Sequence, residues 1–192
     1  KYNMLFVGTA DALNIADLSR LSDDIAVPLY VETAVNQKNL SHLDDTISCL
    51  VSSDKYIWAA SNNILVRYNL AESKLEEFPF IDGSQVNGAL IYSISVVSDT
   101  ELWIGSNKGL FLFDTRTASF TPVSLYNDRM TDVSGFLICA LYQDVDKTLW
   151  IGTYGAGLTQ FSPTKGILSQ YRHSTAPYSL SNDIVFFINR DS

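Results

Sequence analysis

The sequence is poor in the residues that build metal, redox and polyanion sites. It has two cysteines and two histidines in 192 residues, and 13 Lys and Arg against 21 Asp and Glu. The formal charge of −8 argues against nucleic acid or an anionic membrane surface as partner, because both need a basic patch to meet phosphate. Cys49 and Cys139 stand far apart and outside any Cys-x-x-Cys pair, and read as core thiols on strands. His42 and His173 have no second His or Cys at ligand spacing, so no zinc site is expected. No apolar run approaches the roughly 18 to 20 residues that cross a bilayer, the densest being Phe136 to Tyr142, so no membrane contact is expected of this segment. The chain opens on Lys1 without a basic, apolar leader, and any export signal lies outside the sequence. Amphipathic helical periodicity is missing too, apart from Asp11 to Leu21, which fits either a strand or a helical turn.

What the chain does have is internal repetition. Aromatic anchors at Phe6, Trp58, Trp103 and Trp150 are 52, 45 and 47 residues apart, a period that suits four-stranded propeller blades. Seven residues after each anchor stands a leucine, namely Leu13, Leu65, Leu110 or, eight residues on, Leu158. Three residues further comes Tyr68, Phe113 or Phe161, and then Leu75, Phe120 or Leu168 followed by Phe78, Val123 or Tyr171. An apolar run precedes each Trp, over 46–51, 90–97 and 136–142. Period-two alternation with β-branched and aromatic residues, broken by turn clusters, predicts short antiparallel strands in the order inner run, Trp strand, Leu-x-x-Phe strand, outer strand.

The expected fold is therefore all-β, a β-propeller segment of four-stranded antiparallel blades with three complete repeats and partial blades at both ends. The expected division is a partial blade with a long connection over 1–45, blades over 46–89, 90–135 and 136–182, and the first strand of a further blade over 183–192. That last run predicts that the natural sequence continues into another Leu-Trp-like pair. Each Trp is expected to fill the wedge between twisted sheets, with an N–H that needs a partner. Gly105 and Gly152 are expected where another backbone comes close, a place Ala60 takes in the second repeat.

No constellation points to catalysis or a cofactor. The run 152–157 is glycine-rich, but a strand follows it where a nucleotide-binding fingerprint needs a helix. Asp144-x-Asp146 reads as a capped turn in place of a calcium loop, and Asn39-Leu-Ser41 is a formal but uninformative glycosylation sequon. Ser52 to Trp58 resembles the Asp-box turn of sialidase-like propellers but lacks its glycine, and its Asp-to-Trp spacing is one residue too long. The scattered arginines announce no sialidase site, and no Ser/His/Asp spacing announces a nucleophile.

Leu149-Trp-Ile-Gly-Thr153, Gly157-Leu-Thr-Gln-Phe-Ser-Pro163, Leu168-Ser-Gln-Tyr171 and Tyr178-Ser-Leu-Ser-Asn-Asp-Ile-Val185 together resemble the two-component regulator propeller repeats. The resemblance is closest over 136–192, good over 92–123, looser over 56–78 and poor before residue 45. It implies the extracytoplasmic sensor of a Bacteroidetes-type hybrid two-component system, in which propellers precede a β-sandwich, a transmembrane helix and a histidine kinase. Many members of that family sense oligosaccharides. The implied role is ligand reception without catalytic, cofactor or metal residues, in a periplasmic or extracytoplasmic place, with the remaining blades and downstream domains as partners.

Sugars are held by aromatic faces and hydrogen-bonding rims, which propellers carry on blade-end loops. The candidate ligand-binding residues are Tyr126, Asn127, Arg129, His173 and Tyr178. Two other classes stay open, a propeller enzyme acting on glycans as a lyase or glycosidase, and a propeller scaffold of a cell-envelope complex. The exposed edges at 4–9 and 183–189 are expected to pair with another chain, such as a second copy in a homodimer, more readily than with each other.

Overall fold

A computed structural model describes residues 3–10, 13–18, 31–33, 46–80, 88–126 and 132–191 of the chain. The first sheet has three antiparallel strands in chain order, β1 (Met4–Gly8), β2 (Leu13–Asp17) and β3 (Val31–Thr33). Asp11 to Leu21 thus resolves, over its described part, into a strand. The long connection beyond Ser19 falls outside the described residues except at 31–33, as does the sequon.

Three four-stranded antiparallel sheets follow, each ordered as in the sequence. The second holds β4 (Ile47–Ser52), β5 (Tyr56–Ser61), β6 (Ile64–Asn69) and β7 (Lys74–Pro79). The third holds β8 (Ile91–Val96), β9 (Glu101–Ser106), β10 (Gly109–Asp114) and β11 (Ser119–Val123). The fourth holds β12 (Ile138–Gln143), β13 (Leu149–Thr153), β14 (Leu158–Ser162) and β15 (Gly166–Tyr171). The fold is a β-propeller segment, and the described residues contain no α-helix.

The blades interlock through a contact that repeats. Phe6 meets Tyr68, Trp58 meets Phe113 and Trp103 meets Phe161, with centroids 5.3, 6.2 and 6.2 Å apart and steep interplanar angles. In each pair the aromatic of one sheet, on β1, β5 or β9, reaches the ring on the third strand of the next, so the Trp is indeed the spacer between blades. Such edge-on pairs add roughly 0.5–1.5 kcal/mol to the burial of the rings themselves. Trp150 instead leans on Tyr171 of its own sheet, at 5.9 Å and 31°, and stays half-buried.

A second repeat joins the backbones. A Cβ added to Gly8 would strike Ile47, one added to Gly105 would strike Ile138, and one added to Gly152 would strike Val185. The glycine two residues after Phe6, Trp103 and Trp150 is therefore where the following stretch of chain crosses. At the first and last of these crossings Ile47 N–H donates to Thr9 O and Val185 N–H to Thr153 O, at 3.0 and 2.9 Å, and between the second and third sheets, where Ala60 replaces the glycine, Ile91 N–H donates to Asn62 O at 2.8 Å. Each inner strand also carries a bulge at one place, between Ile47 and Cys49, Ile91 and Ser93, and Ile138 and Ala140. Bulges bend a strand and increase its twist. Past Val185 the described chain forms no ladder, and Ile184 makes a single bridge to Tyr154.

One register differs from the spacing. Leu168 keeps step with Leu75 and Phe120 in sequence, yet Ile167 is the buried residue and Leu168 is exposed. A bulge between Gln160 and Phe161 pairs Phe161 with Ile167, whereas Tyr68 pairs with Leu75 and Phe113 with Phe120. The extra residue shifts the inward face by one.

Candidate ligand-binding face

The segment has two ends. At one end lie the turns between first and second strands and between third and fourth strands, held by short-range caps such as Asp146 accepting Thr148 N–H at 2.9 Å and Asp114 accepting Arg116 N–H at 2.8 Å. Asp144 there pairs with Arg190 across to the chain's last described stretch. The Asp144-x-Asp146 turn thus spends its carboxylates on chain atoms and a guanidinium. At the other end, the loop after each outer strand meets the hairpin between second and third strands. Hydroxyls buried at the end of the Trp strand tie those hairpins, with Ser106 Oγ donating to Gly109 O at 2.9 Å and Thr153 Oγ1 to Gly157 O at 3.0 Å.

The loop after β15 holds two of the candidate residues. Asp183 organises it, taking His173 N–H at 2.6 Å and an Arg172 guanidinium nitrogen at 3.2 Å, while its own carbonyl accepts the N–H groups of Gly155 and Gly157 at 3.0 and 2.8 Å. The His173 N–H, seconded by the Arg172 cation, holds the Asp183 carboxyl below the usual carboxylate range. His173 Nδ1 lies 2.9 Å from Leu180 O, so that nitrogen carries the proton. Gly157, at φ +76°, lets the hairpin approach Tyr171 O closer than any side chain would allow.

Tyr178 stands fully exposed at φ 70°, a left-handed conformation unusual for an aromatic residue. With Trp150, Tyr171, Gln170 and Arg172 it lines a concavity of about 540 Å³. The Trp150–Tyr171 pair has the geometry of Trp58–Phe78 two sheets earlier, 6.1 Å and 37°. That correspondence marks Trp150 as sheet-facing surface in the first place.

Tyr126 is exposed on the loop after β11, one blade back from His173 and Tyr178. Asn127 and Arg129 lie outside the described residues. His173 and Tyr178 therefore share one loop, and Tyr126 belongs to another. Sequence reasoning missed Asp183, Arg172 and the Trp150–Tyr171 concavity. It also missed a second concavity of about 410 Å³ between the third and fourth sheets, beside Trp103. The signal that finds it is a comparison of the copies position by position, at the residues where they disagree.

Residues 134–155 match the family model described as two component regulator propeller. No curated protein matches the chain in sequence. Among solved structures, the extracellular domain described as that of hybrid two component system BT4673 from B. thetaiotaomicron is 22% identical, with a TM-score of 0.73 over 98% of this chain and 24% of that one. The corresponding domain of BT3049 from the same organism is 17% identical, with a TM-score of 0.62 over 98% of this chain and 29% of that one. Virginiamycin B lyase from Staphylococcus aureus is 14% identical, with a TM-score of 0.65 over 91% of this chain and 54% of that one. These likenesses establish the fold. The chain spans about a quarter of the length of the BT4673 domain.

Proposed function

We propose that this chain, whose residues 134–155 carry the two-component regulator propeller repeat, is a non-catalytic sensing segment of a two-component regulator. It works outside the cytoplasm, detects a glycan-derived oligosaccharide and passes the signal to a histidine kinase through the rest of its parent. The blades run over 46–89, 90–135 and 136–182. The observation that carries the reading is the repeat match, which falls on the stretch from Ser134 through Trp150 to Gly155 that links the loop after β11 to the fourth sheet. A blade defines a fold and not a ligand, so the sensing role rests on the family of the repeat.

Two features support a ligand role for the loop end. Its aromatic side chains are exposed at Tyr126, Tyr154 and Tyr178, and Asp183 fixes the loop that carries Tyr178. A ligand signals only through its differential affinity for two arrangements of the parent. The test is thermal unfolding of the chain with a panel of oligosaccharides, since a ligand of the native state raises its melting temperature. Stabilisation by one sugar without consumption of that sugar is the expected result. Cleavage of any glycan by the purified chain would replace this reading with an enzymatic one.

A further inference from the structure

The junction between the second and third sheets is filled by an arginine. The Arg67 guanidinium lies over the rings of Tyr56, Trp58 and Phe78, at 4.9, 5.5 and 5.4 Å from their centroids, and pairs with Glu76 through Nε at 2.8 Å. The next junction has the same Trp and none of this filling. In register with Trp103, Glu101 takes the place of Tyr56, Leu112 that of Arg67 and Val123 that of Phe78. The space left is the concavity of about 410 Å³.

Its lining is chemically mixed. Trp103 and Leu112 give an apolar wall, and Glu101, Gln143, Asp146 and Lys147 bring acceptors and donors to the rim. Trp103 is only 4% exposed, and its Nε1–H has no hydrogen-bond partner. Thr159 Oγ1, fully buried two residues before Phe161 and so on the same strand face, has none either. A buried donor without an acceptor is unfavourable, which marks this joint as one that packing alone leaves incompletely satisfied.

We infer that the wedge between the third and fourth sheets, walled by Trp103 and Leu112 and rimmed by Glu101, Gln143 and Lys147, is a binding site for a neutral, hydroxyl-rich ligand of mono- or disaccharide size. A charged ligand would meet Glu101 or Lys147 with the wrong sign. Hydroxyl groups both give and accept, so they match the carboxylates, the amide and the ammonium of the rim together. The volume lies in the usual range of small-molecule sites. The site deepens the sensing reading and rests on it, and a ligand bridging two blades would act on their relative tilt.

The test follows the three indole N–H resonances of the whole chain by NMR, with Trp103 assigned through Trp103→Phe. The probes are methyl α-mannoside, lactose, cellobiose and xylobiose, each to about 10 mM, enough to reveal a millimolar Kd. The expected result is a saturable shift of the Trp103 indole with at least one probe. Leu112→Arg copies Arg67 into the wedge and should weaken that binding about tenfold or more, a change of roughly 1.4 kcal/mol. Unchanged Trp58 and Trp150 indoles would show that this variant still folds. A Trp103 indole that no probe moves, or binding that survives Leu112→Arg in full, overturns the site. A probe that raises the melting temperature while Trp103 stays still overturns the wedge and leaves sensing intact. A chain that responds to no sugar by either readout overturns both.

Discussion

Gly105→Ala tests the blade crossing with the smallest available change. The added methyl carbon would lie 2.6 Å from Ile138 Cγ2 and 3.2 Å from Ile138 Cβ, and would collide with Ser93 Oγ. Ser93 Oγ now donates to Ile138 O at 3.3 Å, so the same methyl also breaks a hydrogen bond between the third and fourth sheets. Overpacking costs about 1–3 kcal/mol and the lost bond roughly 0.5–1.5. Restricting the unfolded chain returns about 0.4–1. The net is a loss of about 2 kcal/mol, or roughly 4–8 °C in Tm for a chain of this size. Scanning calorimetry or dichroism would read it, with Gly135→Ala as control, because a Cβ there meets nothing within 4 Å. Gly135→Ala should leave Tm unchanged or raise it slightly. Ala60 holds the equivalent place in the second sheet, fully buried, so the penalty belongs to this junction's spacing and not to the repeat position. A Tm for Gly105→Ala within about 1 °C of the parent would refute the crossing argument.

Trp58→Ala, which empties a fully packed wedge, should cost about 3–5 kcal/mol in urea unfolding. Trp150→Ala, at a half-buried ring that stacks on its own sheet's Tyr171, should cost about 1–2, and equal losses would contradict the spacer role. Burial pushes the Cys49 thiol up to about 12 and raises that of Cys139 less, so a disulfide reagent near pH 8 should label Cys139 first. Labelling of Cys49 ahead of Cys139 in the folded chain would show that strand β4 opens. Asp183 has a depressed folded pKa, so its contribution is complete above the unfolded carboxylate value of about 3.9 and disappears as pH falls through the lower folded one. Hydrogen exchange should therefore show the His173 amide protected at pH 5 and losing protection only in stronger acid, with Asp183→Ala unprotected throughout.

The aromatic anchors were legible in the sequence because a junction between blades needs a large ring at a fixed place in every copy. Trp58, Trp103 and Trp150 announce the second strand, and the glycines two residues on announce a close crossing. The bulges were not legible, since a residue left out of a ladder leaves no mark in composition. That is why Leu168 kept the repeat's spacing while Ile167 took the core. His173 and Tyr178 could be placed on a loop from their turn-rich neighbours. The hold of Asp183 on Gly155 and Gly157 joins segments far apart in spacing, and only the folded chain brings them together.

The most distinctive stretch, Leu149 to Thr153, is the packing element of a blade, and this sets where functional information can reside. Residues that every junction needs are fixed by packing, and they label the repeat without distinguishing its copies. Specificity has to come from positions that packing leaves free. Arg67, Leu112 and Gln160 occupy one such position, the partner of the Trp across the second and third strands. In the second sheet it closes its wedge with a stacked, paired cation, and in the third it leaves the wedge open over an unpartnered indole N–H. The same backbone thus builds a sealed joint and an open one through three changes in register, at the places of Tyr56, Arg67 and Phe78. A repeat protein can acquire a binding site in this way without changing its fold, and the open joint lies where a bound molecule would touch two blades at once.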